Sequence, residues 1–525
     1  MDNLRKSLFK VDENKLHNNL IVGPLGKLPI KALQFGEGNF LRGFVDWMFN
    51  RLNAMGLFNG SIVVVQPINQ GKIDVINDQD GLYTLMLRGI HKGENAKIKE
   101  LVSAISRGID IYSDYDNYLK LAESPELRVI VSNTTEAGIA YNPEDKLLDD
   151  PPQSFPGKLT VFLYNRFKIF KGDFKKGFII IPCELIDRNG DNLKEIVLRL
   201  ASLWNLGEDF IDWVNKGNHF LNTLVDRIIT GYPKDEAQAI EAELGYHDNL
   251  LVTGEIFHLW VIEGSKELAA ELPFTEAGLN VVWTNDLTPY RIRKVRILNG
   301  AHTMTSLAAY LYGKETVKEC MDDNIISMFM KQGIMDEIIP TLDLPESELK
   351  NYAEDVLERF SNPYIKHYLL SISLNSISKF KVRVLPSLLE YINRKNILPQ
   401  ILTFSMAALF AFYRGTKICD GVLIGVRNGM EYKINDDINV LEAFKDLWKA
   451  YDGTEEGMGL LVSKLLARTD WWDANLNEID GLTYLVSKHL FEITAYGMEK
   501  ALKDITTELN RRGLKDDRSL QCSVN

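Results

Sequence analysis

Short apolar runs alternate with helical patterns through the first half of the chain. Runs at 31–35, 61–65, 128–132 and 178–182 are bounded by turn residues, which predicts four strands. Continuous β-branched runs such as 61–65 are typical of strands that are buried on both faces. Strands that alternate with helices indicate a mostly parallel, doubly wound sheet of the Rossmann type, in the α/β class.

The pattern changes near residue 288, after which helical patterns follow one another with few β-rich runs. The expected helices include 299–312, 353–360, 401–413, 440–451 and 482–502. A chain of 525 residues is also longer than one core usually supports. We therefore expect a Rossmann-type dinucleotide-binding domain at 1–288 and an all-helical substrate and catalytic domain at 289–525.

Composition excludes several classes of protein. A formal net charge of −12 argues against nucleic-acid binding. The four cysteines lack CxxC spacing, which argues against a disulfide framework or a zinc site and favours a reducing cytosol. The first residues lead into no apolar signal segment, and no apolar run is long enough to span a bilayer. We expect a cytoplasmic protein without a membrane or nucleic-acid partner, and the oligomeric state stays open.

The stretch from Tyr290 to Thr303 opens the second half, and polar residues interrupt its apolar pattern. Its apolar side chains are spread around most of the helical circumference, which is typical of a buried helix. Lys294, Asn299 and His302 lie within it, and buried polar groups need partners. In an α-helix they fall within roughly 140° of arc, so one small polar ligand could meet all three. Spacing alone leaves a second interpretation open, in which the Lys and His extend to the surface.

A glycine turn follows the first predicted strand and precedes a helical pattern. Strand, glycine turn and helix form the context of a dinucleotide site, because glycines let the backbone approach a pyrophosphate. Gly36 and Gly38 fit the G-x-G-x-x-G pattern, but Leu41 replaces the third glycine, so a plain tight turn is an open alternative. The residues at 66–69 offer no acid for a ribose hydroxyl and no arginine for a 2′-phosphate, so the choice between NAD and NADP is poorly defined.

Two further segments are candidates for the same site. Small hydroxyl residues follow the strand at 128–132 and include Thr135; such residues line the crevice of open α/β sheets, although a solvated loop is equally consistent. Asp226 and Arg227 stand side by side in an apolar segment, for which a surface ion pair is the simpler interpretation.

Several stretches together resemble one family, the long-chain polyol dehydrogenases related to mannitol dehydrogenase. The resemblance covers most of the chain, and the Lys-x4-Asn-x2-His element of 294–302 is its most specific part. The stretches are Phe35-Gly36-Glu37-Gly38-Asn39-Phe40-Leu41-Arg42, Asp80-Gly81-Leu82-Tyr83-Thr84-Leu85, Thr135-Glu136-Ala137-Gly138, Val225-Asp226-Arg227-Ile228 and Lys294-Val295-Arg296-Ile297-Leu298-Asn299-Gly300-Ala301-His302.

The resemblance implies roles for these residues. Lys294 is expected to be the acid/base, Asn299 to hydrogen-bond the developing oxyanion and His302 to orient the substrate, with no metal. Asp226 is expected to bind a substrate hydroxyl or to tune the lysine. The expected contacts to NAD come from Phe35, Gly36, Gly38, Asn39, Phe40, Arg42, Thr135 and Glu136.

The chain also departs from the family pattern around the substrate. Sugar-alcohol members carry Cys-Asp-Asn where Cys183-Glu184-Leu185 stands here, and an arginine of those members falls at Ser371. Their nearby lysine matches Lys379, and two further cations, Lys381 and Arg383, follow it. A cationic cluster suits a substrate carboxylate, because Lys and Arg form charge-assisted hydrogen bonds to it. A solvated basic face is the alternative for each of the three.

These features favour NAD-dependent hydride transfer between a keto sugar acid and its alcohol. Within the same chemistry, another sugar acid or a neutral polyol is an alternative substrate. From a different class, the chain could be a catalytically silent nucleotide-binding protein, against which the intact Lys294, Asn299 and His302 argue.

Overall fold

The computed structural model describes residues 2–9, 20–91, 93–135 and 137–508. The chain divides into two compact units between Leu287 and Thr288. Among the described residues, no helix combines the length and the apolar character that crossing a membrane requires.

A six-stranded parallel sheet forms the centre of the first unit. Its spatial order places the third, second, first, fourth, fifth and sixth strands of the sheet side by side, which is the order of a Rossmann fold. In chain order, the six strands are Ile30–Phe35, Ser61–Val65, Ile105–Ile109, Val129–Ser132, Ile179–Pro182 and His219–Phe220.

Both faces of this sheet are covered, as the continuous apolar runs predict. Along the second strand, Ile62 and Val64 belong to one hydrophobic cluster, whereas Val63 and Val65 belong to another. Successive side chains of a strand point to opposite faces, so the two clusters lie on opposite faces of the sheet. The predicted Rossmann-type sheet is confirmed.

Smaller sheets complete the first unit. A five-stranded mixed sheet contains, in spatial order, Ile229–Gly231, Val252–Glu255, Tyr83–His91, Glu94–Val102 and Leu20–Val22. A three-stranded sheet contains Thr223–Asp226, Leu259–Glu263 and Val281–Thr284, and a two-stranded one pairs Asp2–Asn3 with Tyr246–His247. The α-helices are Asn39–Gly43, Val45–Ala54, Ile73–Asp78, Tyr115–Lys120, Phe155–Ile169, Asn189–Leu203, Glu208–Gly217, Ala237–Leu244 and Lys266–Glu271, and the 3₁₀ turns are Lys6–Phe9, Leu121–Glu123 and Phe174–Lys176.

The second unit is mainly helical, as predicted. Its α-helices are Thr288–Arg293, Gly300–Tyr312, Val317–Asp322, Asn324–Gln332, Glu346–Phe360, Leu369–Ile372, Ser376–Arg383, Leu385–Lys395, Gln400–Phe412, Ile438–Ala450, Glu455–Leu466, Thr469–Trp472, Leu482–Tyr496 and 498–508. Lys294–Asn299 and Gly333–Ile338 are π-helical, and Ile339–Thr341 and Leu476–Glu478 are 3₁₀ turns. The single helix expected at 482–502 is interrupted at Gly497, which has φ +86°.

One antiparallel sheet departs from the all-helical expectation. Its strands are Gly415–Cys419, Val422–Arg427 and Met430–Ile434, joined by two-residue turns. The turns are Asp420-Gly421 and Asn428-Gly429, and all four residues have positive φ. Asp-Gly and Asn-Gly are the dipeptides that such hairpin turns favour. A search for the helical period alone does not detect these dipeptides, so the sheet was not predicted.

Candidate active site

Two predicted cofactor loops meet where the strand order of the Rossmann sheet reverses. Gly36 follows the first strand with φ +115°, and its N–H donates to the carbonyl of Val65 at 2.9 Å. A Cβ on Gly36 would stand 2.9 Å from the backbone oxygen of Asn133, on the loop after the fourth strand. Only glycine therefore suits this turn. Ligands of open α/β sheets bind in the crevice at this reversal of strand order.

Gly38 has no structural need of its own to be a glycine. Its φ is −65°, which any residue adopts, and a Cβ there would meet no atom within 4 Å. The missing side chain leaves open space beside the glycine turn, which is the room that a dinucleotide pyrophosphate needs for close approach to the backbone. The residues present therefore fit an NAD-type dinucleotide.

The side chains of the turn divide into core and surface. Phe35 is fully buried, with its ring 4.9 Å from that of Phe155, so its side chain belongs to the core. Phe40 is half-buried and stacks on Phe44 with ring centroids 5.0 Å apart. The amide oxygen of Asn39 accepts a hydrogen bond from Arg42 at 2.7 Å.

The guanidinium of Arg42 has several partners within the protein. Its guanidinium is buried and donates to the carbonyls of Glu37 and Leu250 as well as to Asn39. It also lies over the ring of Tyr83, 5.3 Å from the centroid. These bonds use three of its five N–H donors and hold the turn in place, and the expected contact of Arg42 with the cofactor stays a prediction.

The loop after the fourth strand is tied to Glu184. Its buried carboxylate accepts hydrogen bonds from the N–H and hydroxyl of Thr134 at 2.9 and 3.0 Å, and from the hydroxyl of Ser132 at 3.1 Å. Burial raises the pKa of Glu184, and these hydrogen bonds oppose the rise. Thr135 follows with φ +72°, whereas Glu136 lies outside the described residues. This anchoring role of Glu184 was not predicted from the sequence, where the residue stands out only as a departure from the family pattern.

Asp226 and Arg227 are both buried, so they do not form the surface ion pair that the simpler interpretation proposed. Arg227 donates to the carbonyls of Glu255 and Gly43, each at 2.9 Å, and lies 4.3 Å from the ring centroid of Trp47. Asp226 ends the strand Thr223–Asp226.

The second unit holds the lysine, the amide and the imidazole on one continuous helical segment. Lys294 and Asn299 are the first and last residues of the π-helix, and His302 lies in the first turn of Gly300–Tyr312. A π-helix bonds residues five apart, so Lys294 and Asn299 lie one turn apart on the same face. The arc of about 140° assumed for an α-helix is therefore wrong for this pair. Isolated π turns occur frequently at functional sites.

The surroundings of His302 keep its imidazole neutral. The ring stacks on Phe360 at 4.2 Å and meets His367 edge-on at 4.8 Å. Burial lowers the pKa of His302 well below its usual range, and His367, Arg359 and Arg383 lower it further. Its Nε2 is buried and has no hydrogen-bond partner among the described residues. A buried polar atom without a partner is costly, which marks this nitrogen as a candidate ligand contact.

The three predicted cations have different surroundings. Arg383 reaches the helix Gly300–Tyr312, where its Nη1 lies 3.4 Å from the hydroxyl of Thr303. Lys379 donates to the carbonyl of Ile372 at 2.8 Å. Lys381 instead pairs with the exposed Asp473 at 2.7 Å. This ion pair argues against the expected contact of Lys381 with substrate.

Among the described residues, no group of three or more His, Cys, Asp or Glu side chains is arranged to hold a metal ion.

Comparison with known proteins matches two family descriptions to the chain. Residues 30–276 match the mannitol dehydrogenase Rossmann domain, and residues 286–494 match the mannitol dehydrogenase C-terminal domain. Altronate oxidoreductase from Bacillus subtilis strain 168 is 49% identical over 475 residues, which cover 90% of this chain and 95% of that protein. Altronate oxidoreductase from Escherichia coli O6:K15:H31 is 48% identical over 483 residues, covering 92% and 98%.

Two solved structures share the fold. D-sorbitol dehydrogenase in substrate-free form matches with a TM-score of 0.78 and 22% identity, over 95% of this chain and all of that one. Mannitol 2-dehydrogenase from Pseudomonas fluorescens, in a ternary complex with NAD and D-mannitol, matches with a TM-score of 0.65 and 21% identity, over 96% and 99%. Both show that the Rossmann and helical domains occur together in this order.

Proposed function

The chain belongs to the mannitol dehydrogenase family, and we propose that within it the protein is an NAD-dependent enzyme that interconverts tagaturonate and altronate. It is an oxidoreductase acting on a CH–OH group of a polyol or sugar acid. The observation that carries the substrate is the identity of 48–49% to two altronate oxidoreductases over at least 90% of the chain.

The proposed reaction reduces a ketone to a secondary alcohol. When bound, the nicotinamide of NADH supplies the hydride to the ketone carbon. Lys294 donates a proton to the ketone oxygen and takes it back in the oxidative direction. A positioned acid/base is worth about 10²- to 10⁴-fold in rate. Since the proton comes from lysine, the proposal assigns no metal to the protonation step.

Asn299 binds the reacting oxygen, and His302 binds the substrate hydroxyl next to it. The amide of Asn299 donates to the oxygen as negative charge develops there, a contribution of about 3 kcal/mol in other enzymes. The neutral imidazole of His302 uses its unpartnered Nε2 to bond an adjacent substrate hydroxyl. This contact would satisfy the buried nitrogen and fix the orientation of the sugar chain.

The substrate carboxylate is assigned to Arg383, because its guanidinium hydrogen-bonds the hydroxyl of Thr303, the residue next to His302. Its guanidinium presents paired donors that match a carboxylate. Lys379 remains in the proposal as a substrate contact on the strength of the family resemblance, and Asp226 as a contact to a hydroxyl.

The proposal is tested by incubating the purified protein with tagaturonate and NADH and identifying the products. We expect one NADH consumed for each altronate formed. Binding of NADH without turnover of tagaturonate, fructuronate or fructose would instead support a catalytically silent nucleotide-binding protein.

A further inference from the structure

The loop after the second Rossmann strand lacks the residue that usually selects NAD. Many NAD-binding Rossmann domains place an Asp or Glu there, which hydrogen-bonds the ribose 2′-hydroxyl. In this chain the strand ends at Val65 and the loop from Gln66 to Lys72 contains no acidic residue. If the protein discriminates against the 2′-phosphate of NADP, a residue outside this loop has to do so.

Glu37 reaches this loop from the glycine turn. A Cβ on Gly71 would lie 2.6 Å from the Oε1 of Glu37 and 2.4 Å from the Oε1 of Gln66, so both side chains press against that glycine. The backbone N–H and the charge of Lys72 both lower the pKa of Glu37. The first βα turn thus supplies a carboxylate at the carboxyl end of the second strand.

The Glu37 carboxylate is only partly used by the protein. Two backbone N–H groups, its own and that of Lys72, lower its pKa. A carboxylate has about four acceptor positions, so capacity remains for ribose hydroxyls. Burial raises the pKa of Glu37, while those N–H groups and the charges of Arg42 and Lys72 oppose the rise.

The other carboxylate at this edge, Asp110, is occupied. Its Oδ1 accepts from the amide of Gln66 and the N–H of Tyr112, each at 3.0 Å, and its Oδ2 accepts from the hydroxyl of Ser113 at 2.9 Å. These contacts hold the loop after the third strand. Asp110 is therefore an alternative candidate for binding the ribose hydroxyls, but it has less hydrogen-bond acceptor capacity left than Glu37.

We propose that Glu37 selects NAD over NADP, by accepting a hydrogen bond from the ribose 2′-hydroxyl and repelling a 2′-phosphate. The inference rests on the proposed use of NAD. It also predicts that Lys72, on the same loop, would meet a 2′-phosphate once the carboxylate is neutralised.

The test is the dissociation constant of each dinucleotide, measured by fluorescence titration of the purified protein with NADH and NADPH. Glu37→Gln keeps the shape and removes the charge. We expect it to weaken NADH binding and strengthen NADPH binding by about tenfold each, since one unpaired or repelled group is worth at least a factor of ten. Adding Lys72→Met to Glu37→Gln should abolish the gain for NADPH.

Asp74→Asn is the matched control, because it removes an exposed carboxylate two residues beyond Lys72 and should leave the ratio of the two constants unchanged. Gly71→Ala should displace Glu37 and weaken NADH binding. If Glu37→Gln proves unstable, Glu37→Asp should still reject NADPH while binding NADH less tightly.

Either of two results with variants overturns the inference: a ratio for Glu37→Gln within twofold of the wild type, or a shift produced by Asp110→Asn alone. A wild-type protein that binds both dinucleotides equally well also overturns it. Failure of the wild type to bind either dinucleotide would instead refute the proposed function, so the two failures are distinguishable.

Discussion

Replacing Arg383 by Met should raise KM for tagaturonate strongly and leave KM for a neutral ketose nearly unchanged. Methionine keeps most of the length of the side chain but cannot bond a carboxylate. The reason for choosing Arg383 is its contact with Thr303, the neighbour of His302.

The size of the effect follows from the burial of the guanidinium. Truncating one partner of a buried charge pair costs about 2–5 kcal/mol. Arg383 is half-buried, so solvent screens part of the interaction and the lower end applies. About 2 kcal/mol corresponds to roughly a 30-fold change in KM, since 1.4 kcal/mol is a factor of ten.

The assay is the initial rate of NADH oxidation at varied tagaturonate and, separately, at varied fructose. Lys381→Met is the matched control, because it removes a cation from the same helix that already pairs with Asp473. We expect the control to change KM for tagaturonate less than twofold. Equal effects of the two variants, or an equal loss for fructose in Arg383→Met, would refute the assignment of the carboxylate to Arg383.

Three further predictions concern the lysine, the glycine turn and the histidine. Lys294→Ala should lower kcat by about 10²- to 10⁴-fold with little change in the dissociation constant of NADH; more than a tenth of the wild-type kcat would contradict its role. Gly38→Ala should melt at the wild-type temperature, because its Cβ meets no atom, yet bind NADH at least tenfold more weakly; unchanged binding would remove the turn from the cofactor site. The folded-state pKa of His302 lies below the value of about 6.5 in the unfolded chain, so the unfolded state binds more protons. The free energy of unfolding therefore decreases as the pH is lowered through 6.5. This group contributes at most about 1.4 kcal/mol per pH unit to that decrease. Urea denaturation between pH 5 and 7.5 should therefore show that the free energy of unfolding falls less steeply with decreasing pH for His302→Asn than for the wild type. Identical dependence on pH would contradict the lowered pKa.

Apolar patterning predicted the Rossmann sheet because its strands are buried on both faces. The run at 61–65 coincides with the strand Ser61–Val65, and its residues contribute to clusters on both sides. The same reasoning missed the strand Val422–Arg427, because a small antiparallel sheet is defined by its turns more than by its burial. The dipeptide Asn428-Gly429 carried that information.

The candidate site was predictable as residue types and less so as contacts. The spacing of Lys294, Asn299 and His302 predicted that they share one face of a helix. The π-helical turn that aligns the first two cannot be predicted from an α-helical period of 3.6 residues. For Arg42 and Lys381, the sequence gives the charge of the side chain and not its partners in the fold. Their partners, Leu250 and Asp473, are each more than 90 residues away in the chain.

The most direct test of the central claim compares kcat/KM for tagaturonate, fructuronate and fructose in NADH-dependent reduction by the same preparation. The proposed function predicts the highest value for tagaturonate, with fructose far below both acids because it offers Arg383 no carboxylate. A clear preference for fructose would contradict the assignment to sugar acids, and a preference for fructuronate would contradict tagaturonate as the substrate.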